Sequence, residues 1–133
     1  MSGRIEHLTI PRLLEVCHGM DIEEEAELLP AAQRSDPLLG GFWDDQLLCV
    51  VGFVPATILS DSAYLWMCST PLVNEHKLIF GRWCKWMAGN ALTRFQVVRG
   101  HCDRHSVGWL RHLGARLEPP DQFGIPFFFE RAR

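Results

Sequence analysis

The sequence has no closely paired cysteines, no excess of either charge, no long apolar run and only one tyrosine, Tyr64, among its 133 residues. Each shortage excludes something. The cysteines (Cys17, Cys49, Cys68, Cys84 and Cys102) are odd in number and widely spaced, and no C-x-x-C pair occurs. That speaks against a disulfide scaffold or a zinc ribbon and points to a reducing compartment. A formal net charge of −3 and a pI near 6.0 leave no electrostatic footprint for nucleic acid. No stretch approaches the ~20 apolar residues of a membrane span, and the first residues lack the apolar core of a signal peptide. Neither a nucleic-acid nor a membrane partner is expected, and the location expected is cytoplasmic.

What is present is ordinary globular material: 47% apolar and 22% charged residues, enough for one domain over residues 1–133. Arg4 to Ile10 alternates as a strand would, and Pro11 suits the first turn of a following helix. Asp21, with Glu24 three residues on, reads as the cap of a second helix carrying Ala26, Leu28 and Leu29. The acidic run from Asp21 to Glu27 fits a solvated helix face. From Pro37 the period changes to that of strands. Leu38 to Trp43 and Gln46 to Phe53 flank Asp44-Asp45, a hairpin signal without glycine. Leu47 to Val51 is apolar throughout, as in a central strand covered on both faces.

Tyr64 to Cys68 predicts a further strand and Leu72 to Asn90 a long helix, with Thr70 and Pro71 at its start and Gly89-Asn90 as its stop. Arg94 to Val98 predicts the next strand and Arg104 to Leu113 a short helix closed by Gly114. Gly124 to Glu130 predicts a terminal strand. The reading is one α+β domain with a central twisted mixed sheet of six to seven strands, about four helices, and the order β-α-α-β-β-β-α-β-α-β with a possible extra strand.

Two residue groups invite chemical readings. His101, Cys102, Asp103, His105 and His112 cluster, but without the spacing of a structural zinc site or of H-E-x-x-H, so no metal is expected. Trp43, Trp66, Trp83, Trp86 and Trp109, with Phe127, Phe128 and Phe129, make the chain rich in large aromatics. Three consecutive phenylalanines in a strand cannot share one face. Trp83, Trp86 and the three phenylalanines are therefore candidate interface residues.

The strand-helix-strand-helix stretch from Tyr64 to Ala115 resembles the cofactor half of the GNAT family of N-acetyltransferases. Arg104 to Ala115 is similar to that family's closing motif, N-x-x-A-x-x-x-Y-x-x-x-G-F. The resemblance implies a pantetheine site between the fourth and fifth strands, here Tyr64–Cys68 and Arg94–Val98. It also implies a pyrophosphate cradle of the form Gln/Arg-x-x-Gly-x-Gly/Ala, where Ser69 to His76 has no glycine. Leu110 stands where the family often has its acidic tyrosine. For an active enzyme, the residues implied for the cofactor are Met67, Cys68, Ser69, Thr70, Asn74 and Lys77. The candidate acids and bases are Tyr64, Glu75, His76 and His101.

Residues 38–118 further resemble small acetyltransferase-like internal virion proteins of short-tailed bacteriophages, through Trp66 to Thr70, Lys77 to Met87 and Trp109 to Ala115. That likeness implies a non-catalytic protein of virion structure or assembly, binding no cofactor and meeting other virion proteins or itself, in the host cytoplasm or the virion. The alternatives are an active N-acetyltransferase using acetyl-CoA and a CoA-sensing module without turnover.

Overall fold

The chain opens with β1 (Gly3–His7), followed by two helices, α1 (Ile10–Cys17) and α2 (Glu25–Arg34). Three strands come next: β2 (Leu38–Trp43), β3 (Gln46–Pro55) and β4 (Ser62–Ser69). A 3-10 turn over Pro71–Glu75 leads into the long helix α3 (Lys77–Arg94) and then β5 (Val97–Cys102). A second short turn, α4 (Val107–Leu113), β6 (Arg116–Leu117) and β7 (Ile125–Glu130) complete it. This computed structural model describes residues 3–17, 25–57 and 60–131. The cap expected at Asp21 and Glu24 lies outside the described residues. The strands form one seven-stranded sheet in the order β1-β2-β3-β4-β5-β7-β6. Among the described strands only β4 and β5 run parallel, giving the α+β, mixed-sheet architecture read from the sequence.

Local chemistry explains most of these elements. Thr9 caps α1, accepting at its hydroxyl from the Arg12 N–H and at its carbonyl from the Leu13 N–H, so Pro11 sits where its missing N–H costs nothing. Asp44 and Asp45 both take positive φ, 48° and 67°, which is the handedness a two-residue hairpin turn requires. From Leu47 to Phe53 every residue of β3 is buried. Gly114, at φ 101°, ends α4 in the left-handed conformation that glycine adopts freely.

Several expected boundaries move: β1 stops at His7, so Ile10 opens α1, and α4 starts at Val107 after a short turn over Arg104–Ser106. Pro71 begins a 3-10 turn, with Val73 N–H donating to Thr70 and His76 N–H to Val73, so α3 starts at Lys77. At the other end α3 runs through Gly89-Asn90 to Arg94. The glycine costs about 1 kcal/mol against alanine. Continuing the helix places Ala91 beside Met87 in the core and sets Phe95 behind it, all three buried. That burial outweighs one glycine. The strand therefore begins at Val97, and His101 lies within it.

The two faces of the sheet are covered unequally. On one face Phe80, Cys84, Met87 and Ala91 of α3 and Leu110 of α4 pack on Val51, Phe53, Val98, Phe127 and Phe129. On the other, Leu13 of α1 and Ala32 of α2 pack on Leu38, Phe42, Leu47 and Val50, with Trp66 and Cys68 at the margin. No residue of β5, β6 or β7 joins this second cluster among the described residues. Among the described residues, half of that face stays open.

Candidate functional site

The parallel pairing of β4 with β5 lasts for three residue pairs, Ser62 with Val97, Ala63 with Val98 and Tyr64 with Arg99. Beyond Tyr64, β4 stays with β3 as far as Ser69, while β5 stays with β7 as far as Cys102. The two strands part. Gly100 sits at the fork, where a Cβ would lie 2.9 Å from the Leu65 carbonyl oxygen. A cavity of about 320 Å³ occupies the opening. Leu65, Met67 and Val98 line it from the strands, Cys84 and Met87 from α3, and Trp109 and Leu110 from α4. Trp66 and His101 line it too, and strand alternation places them on the opposite face from Leu65 and Met67. The cavity is thus a slot where the strands part, largely apolar beneath α3 and α4, with His101, Asp103 and Ser106 as its polar lining.

His101 is held from two sides. Its Nδ1 lies 2.8 Å from the Tyr64 hydroxyl, and its Nε2 lies 3.1 Å from Asp121 Oδ2. The register explains the first contact: Tyr64 is opposite Arg99, and His101 is two residues further along the same face. The second comes from the β6–β7 hairpin, whose tip folds Asp121 N–H onto the Gly124 carbonyl. Gly124, at φ 126°, lets that turn press against β5, where a Cβ would lie 2.9 Å from the Cys102 carbonyl oxygen. Phe123 N–H donates to Asp121 Oδ1 at 2.8 Å, and its ring meets His101 edge-on. That backbone donor first, and His101 second, hold the Asp121 carboxyl below its usual range. Partial burial, with the Asp121 charge nearby, pushes the Tyr64 hydroxyl upward. Tyr64 therefore keeps its proton at neutral pH.

The other sequence candidates are spread along β4 and the turn after it. Met67 lines the slot. Cys68 faces the α1–α2 side. Ser69 is exposed at the end of β4. The Thr70 hydroxyl donates to the Leu47 carbonyl, so it serves the β3–β4 junction. Asn74 and Glu75 are exposed in the 3-10 turn, and Lys77 is exposed at the start of α3. His76 occupies the N-cap position of α3 without a side-chain cap bond, and its ring stacks on Trp43 with centroids 4.6 Å apart. Of the four acid and base candidates, the structure brings together Tyr64 and His101 and leaves Glu75 and His76 elsewhere.

The aromatic surface expected from the sequence is largely absorbed by the fold. Phe127 and Phe129 are 6% and 5% exposed and belong to the core. Trp83 lies over Gly3 and Gly41, where a Cβ on either would collide with its ring. Alternation turns Phe128 to the open face, half-buried beneath Arg99. Trp86, 53% exposed, remains a surface aromatic. Among the described residues no group of three or more metal-binding side chains converges. In place of a cluster, His101 is engaged by Tyr64 and Asp121, and His112 stacks on Trp109.

Asp121 is the residue of this candidate site that sequence reasoning missed. It stands 20 positions after His101, and only the β5–β7 pairing brings the hairpin tip to the imidazole. The polar turn from Asp121 to Gly124 was the available signal, and it reads equally well as ordinary hairpin punctuation.

No family model matches the sequence, and no curated protein matches it either. Solved structures do. The ribosomal-protein-S18-alanine N-acetyltransferase of Escherichia coli superposes with a TM-score of 0.70 at 13% identity, over 97% of this chain and 94% of that one. Ard1 of Thermoplasma volcanium gives 0.72 at 7% identity over the whole of both chains. The Bacillus subtilis N-acetyltransferase YlbP, solved with coenzyme A, gives 0.65 at 14% identity over 98% of this chain and 97% of that one. With its seven-stranded sheet parted between β4 and β5, the chain has the fold of the GNAT acetyltransferases.

Proposed function

We propose that the protein is an acyltransferase that takes an acyl group from a CoA thioester and passes it to an amine. The slot between β4 and β5 carries this reading, because it joins the helix-covered face to His101 on the open face. An acyl donor threaded from the α3–α4 side would present its thioester beside His101, where an acceptor arrives from the other side. From Leu65 to Ser69 the edge of β4 turned towards β5 has no strand partner among the described residues. It offers backbone groups to the amides of a pantetheine arm, as a strand would.

The phosphate end is less well provided. Because α3 begins at Lys77, the N–H groups of Lys77, Leu78 and Ile79 have no partner within the helix. The helix dipole there contributes about 0.3–1 kcal/mol for an anion, and Lys77 adds a charge. The rise along α3 from Lys77 to Cys84 is roughly 10 Å, a distance an extended arm covers. These residues fit an acyl-CoA, with a weaker pyrophosphate grip than a glycine-rich loop supplies.

A second reading, an assembly protein without turnover, draws on Leu110 at the acid's position and on Leu78 and Trp86 exposed on α3; its phage setting rests on the sequence likeness alone. A CoA-sensing module lies between the two. One experiment separates them: thermal unfolding with and without millimolar acetyl-CoA, beside thiol release in the presence of amines. Spermidine and a peptide with an N-terminal alanine are suitable acceptors, being named for proteins of this fold. The acyltransferase reading expects both an upward shift and thiol release. Saturation at 100 times Kd adds about 2.7 kcal/mol. A shift without thiol release favours the sensor. No shift, with a defined oligomer, favours assembly and sinks the enzyme.

A further inference from the structure

We propose that Tyr64, His101 and Asp121 form a proton relay in which the Tyr64 hydroxyl, and not the imidazole, exchanges protons with the reacting groups. The proposal rests on the acyl-transfer reading above and names the proton path within that site.

The hydrogen bonds fix the direction of the relay. An ionised carboxylate only accepts, so Asp121 Oδ2 must receive the Nε2–H of His101 across their 3.1 Å contact. In the neutral imidazole the other nitrogen then carries a lone pair, and Nδ1 accepts the Tyr64 O–H across 2.8 Å. Both ring nitrogens are engaged. His101 has no lone pair left for an incoming amine, although it lines the slot. The Tyr64 oxygen does have one, and the ring is 43% exposed on the open face.

The reaction balances through these atoms. As the amine nitrogen bonds to the acyl carbon, its surplus proton passes to the Tyr64 oxygen. Tyr64 in the same motion gives its own proton to His101 Nδ1. The resulting imidazolium is stabilised by Asp121, which stays ionised. When the carbon–sulfur bond breaks, its electron pair goes to sulfur. Tyr64 protonates that thiolate and recovers a proton from Nδ1. The amide and the free thiol leave, and the relay returns to its starting state. A single tyrosine thus serves both proton steps, which accounts for Leu110 at a position with no proton to give. Asp121 is a positioning residue: Phe123 N–H fixes one carboxylate oxygen while His101 takes the other. Of the other charged groups on this face, Arg99 and Glu118 pair with each other, and the register places Arg116 and Glu130 on it as well.

The test uses the full chain and its Tyr64→Phe and Asp121→Asn variants. Tyr64→Phe removes one oxygen from a part-exposed ring and leaves the fold in place. It should lower kcat for thiol release from acetyl-CoA by about 10²–10⁴-fold while leaving the KM for acetyl-CoA and the thermal shift with it unchanged. Nitrogen-15 NMR of the histidine ring should show His101 as the Nε2–H tautomer in the parent and a mixture of tautomers in Asp121→Asn. A Tyr64→Phe protein with parental kcat overturns the relay alone, as does an Nδ1–H tautomer in the parent. A parent chain that neither binds acetyl-CoA nor releases thiol overturns the acyl-transfer reading, and the relay's catalytic role with it.

Discussion

Individual side chains in this protein are set by burial before they are set by chemistry. Cys49 and Cys84 show it most plainly. Both are buried, and desolvation pushes their thiols up from the ordinary 9.0 to about 11 and about 12 respectively. Each therefore remains a protonated, unreactive thiol at neutral pH. In a native alkylation experiment with iodoacetamide at pH 8, neither should be labelled until denaturant is added. Labelling of either in the folded protein would contradict this packing. The sign for stability follows from linkage. A thiol with a raised folded pKa contributes stability that is complete below about 9 and declines as pH rises towards 11–12. Alkaline unfolding should set in over that window, and Cys84→Ala should reduce the steepness of the decline while costing packing in the core. The residue scale also shows the limit of sequence reasoning. Tyr64 and His101 stood out singly, one as the sole tyrosine and one as a histidine near a strand end. Nothing in the linear order joined them to each other or to Asp121.

Among the elements, α3 carries the clearest conflict between local preference and tertiary packing. Gly89-Asn90 is a good stop signal, and the helix passes through it because Ala91 and Phe95 find places in the core. Gly89 is left exposed in a helix interior, with nothing within 4 Å of where a Cβ would stand. Gly89→Ala should therefore stabilise the protein by about 0.5–1 kcal/mol, measured as a higher urea midpoint at unchanged slope. A loss of stability would mean that the helix does end at this glycine. Pro71 shows the reverse case. The residue suits a helix start, but the chain makes a 3-10 turn and delays α3 to Lys77. Propensity could not distinguish these outcomes, because both are compatible with proline at a first turn. The strands were more legible. Leu47 to Val51 had to be central because neither face could be left to water. Asp44-Asp45 had to be a turn because a polar pair divides two apolar runs.

At the level of the whole molecule, the sheet is tightest at β3 and loosest at its far edge. β3 pairs with β2 and β4 and is buried under helices on both faces, whereas β6 has two residues and a single partner. Hydrogen exchange should follow this gradient. The amides of Val50 and Val51 should exchange only through global unfolding, and those of Arg116 and Leu117 through local opening orders of magnitude faster. Equal protection at both places would contradict this account of where the stability lies. Within the sheet, β1 to β4 pair with β5 to β7 through three parallel pairs only, beneath a core that α3 shares with both parts, and the slot opens where those pairs end. Among the described residues no helix is long and apolar enough to cross a membrane.

Read in linear order, the chain already specified the order of elements, the buried central strand and the hairpin at Asp44-Asp45. These depend on periodicity, caps and turn residues, which act over a few neighbouring positions and are written directly in the chain. Tertiary structure alone decided where α3 begins and ends, that Phe127 and Phe129 belong to the core, and that Tyr64, His101 and Asp121 meet. Those outcomes depend on which residues face one another across parting strands and at a hairpin tip. Such juxtapositions are fixed by packing between distant segments, to which a linear pattern has no access.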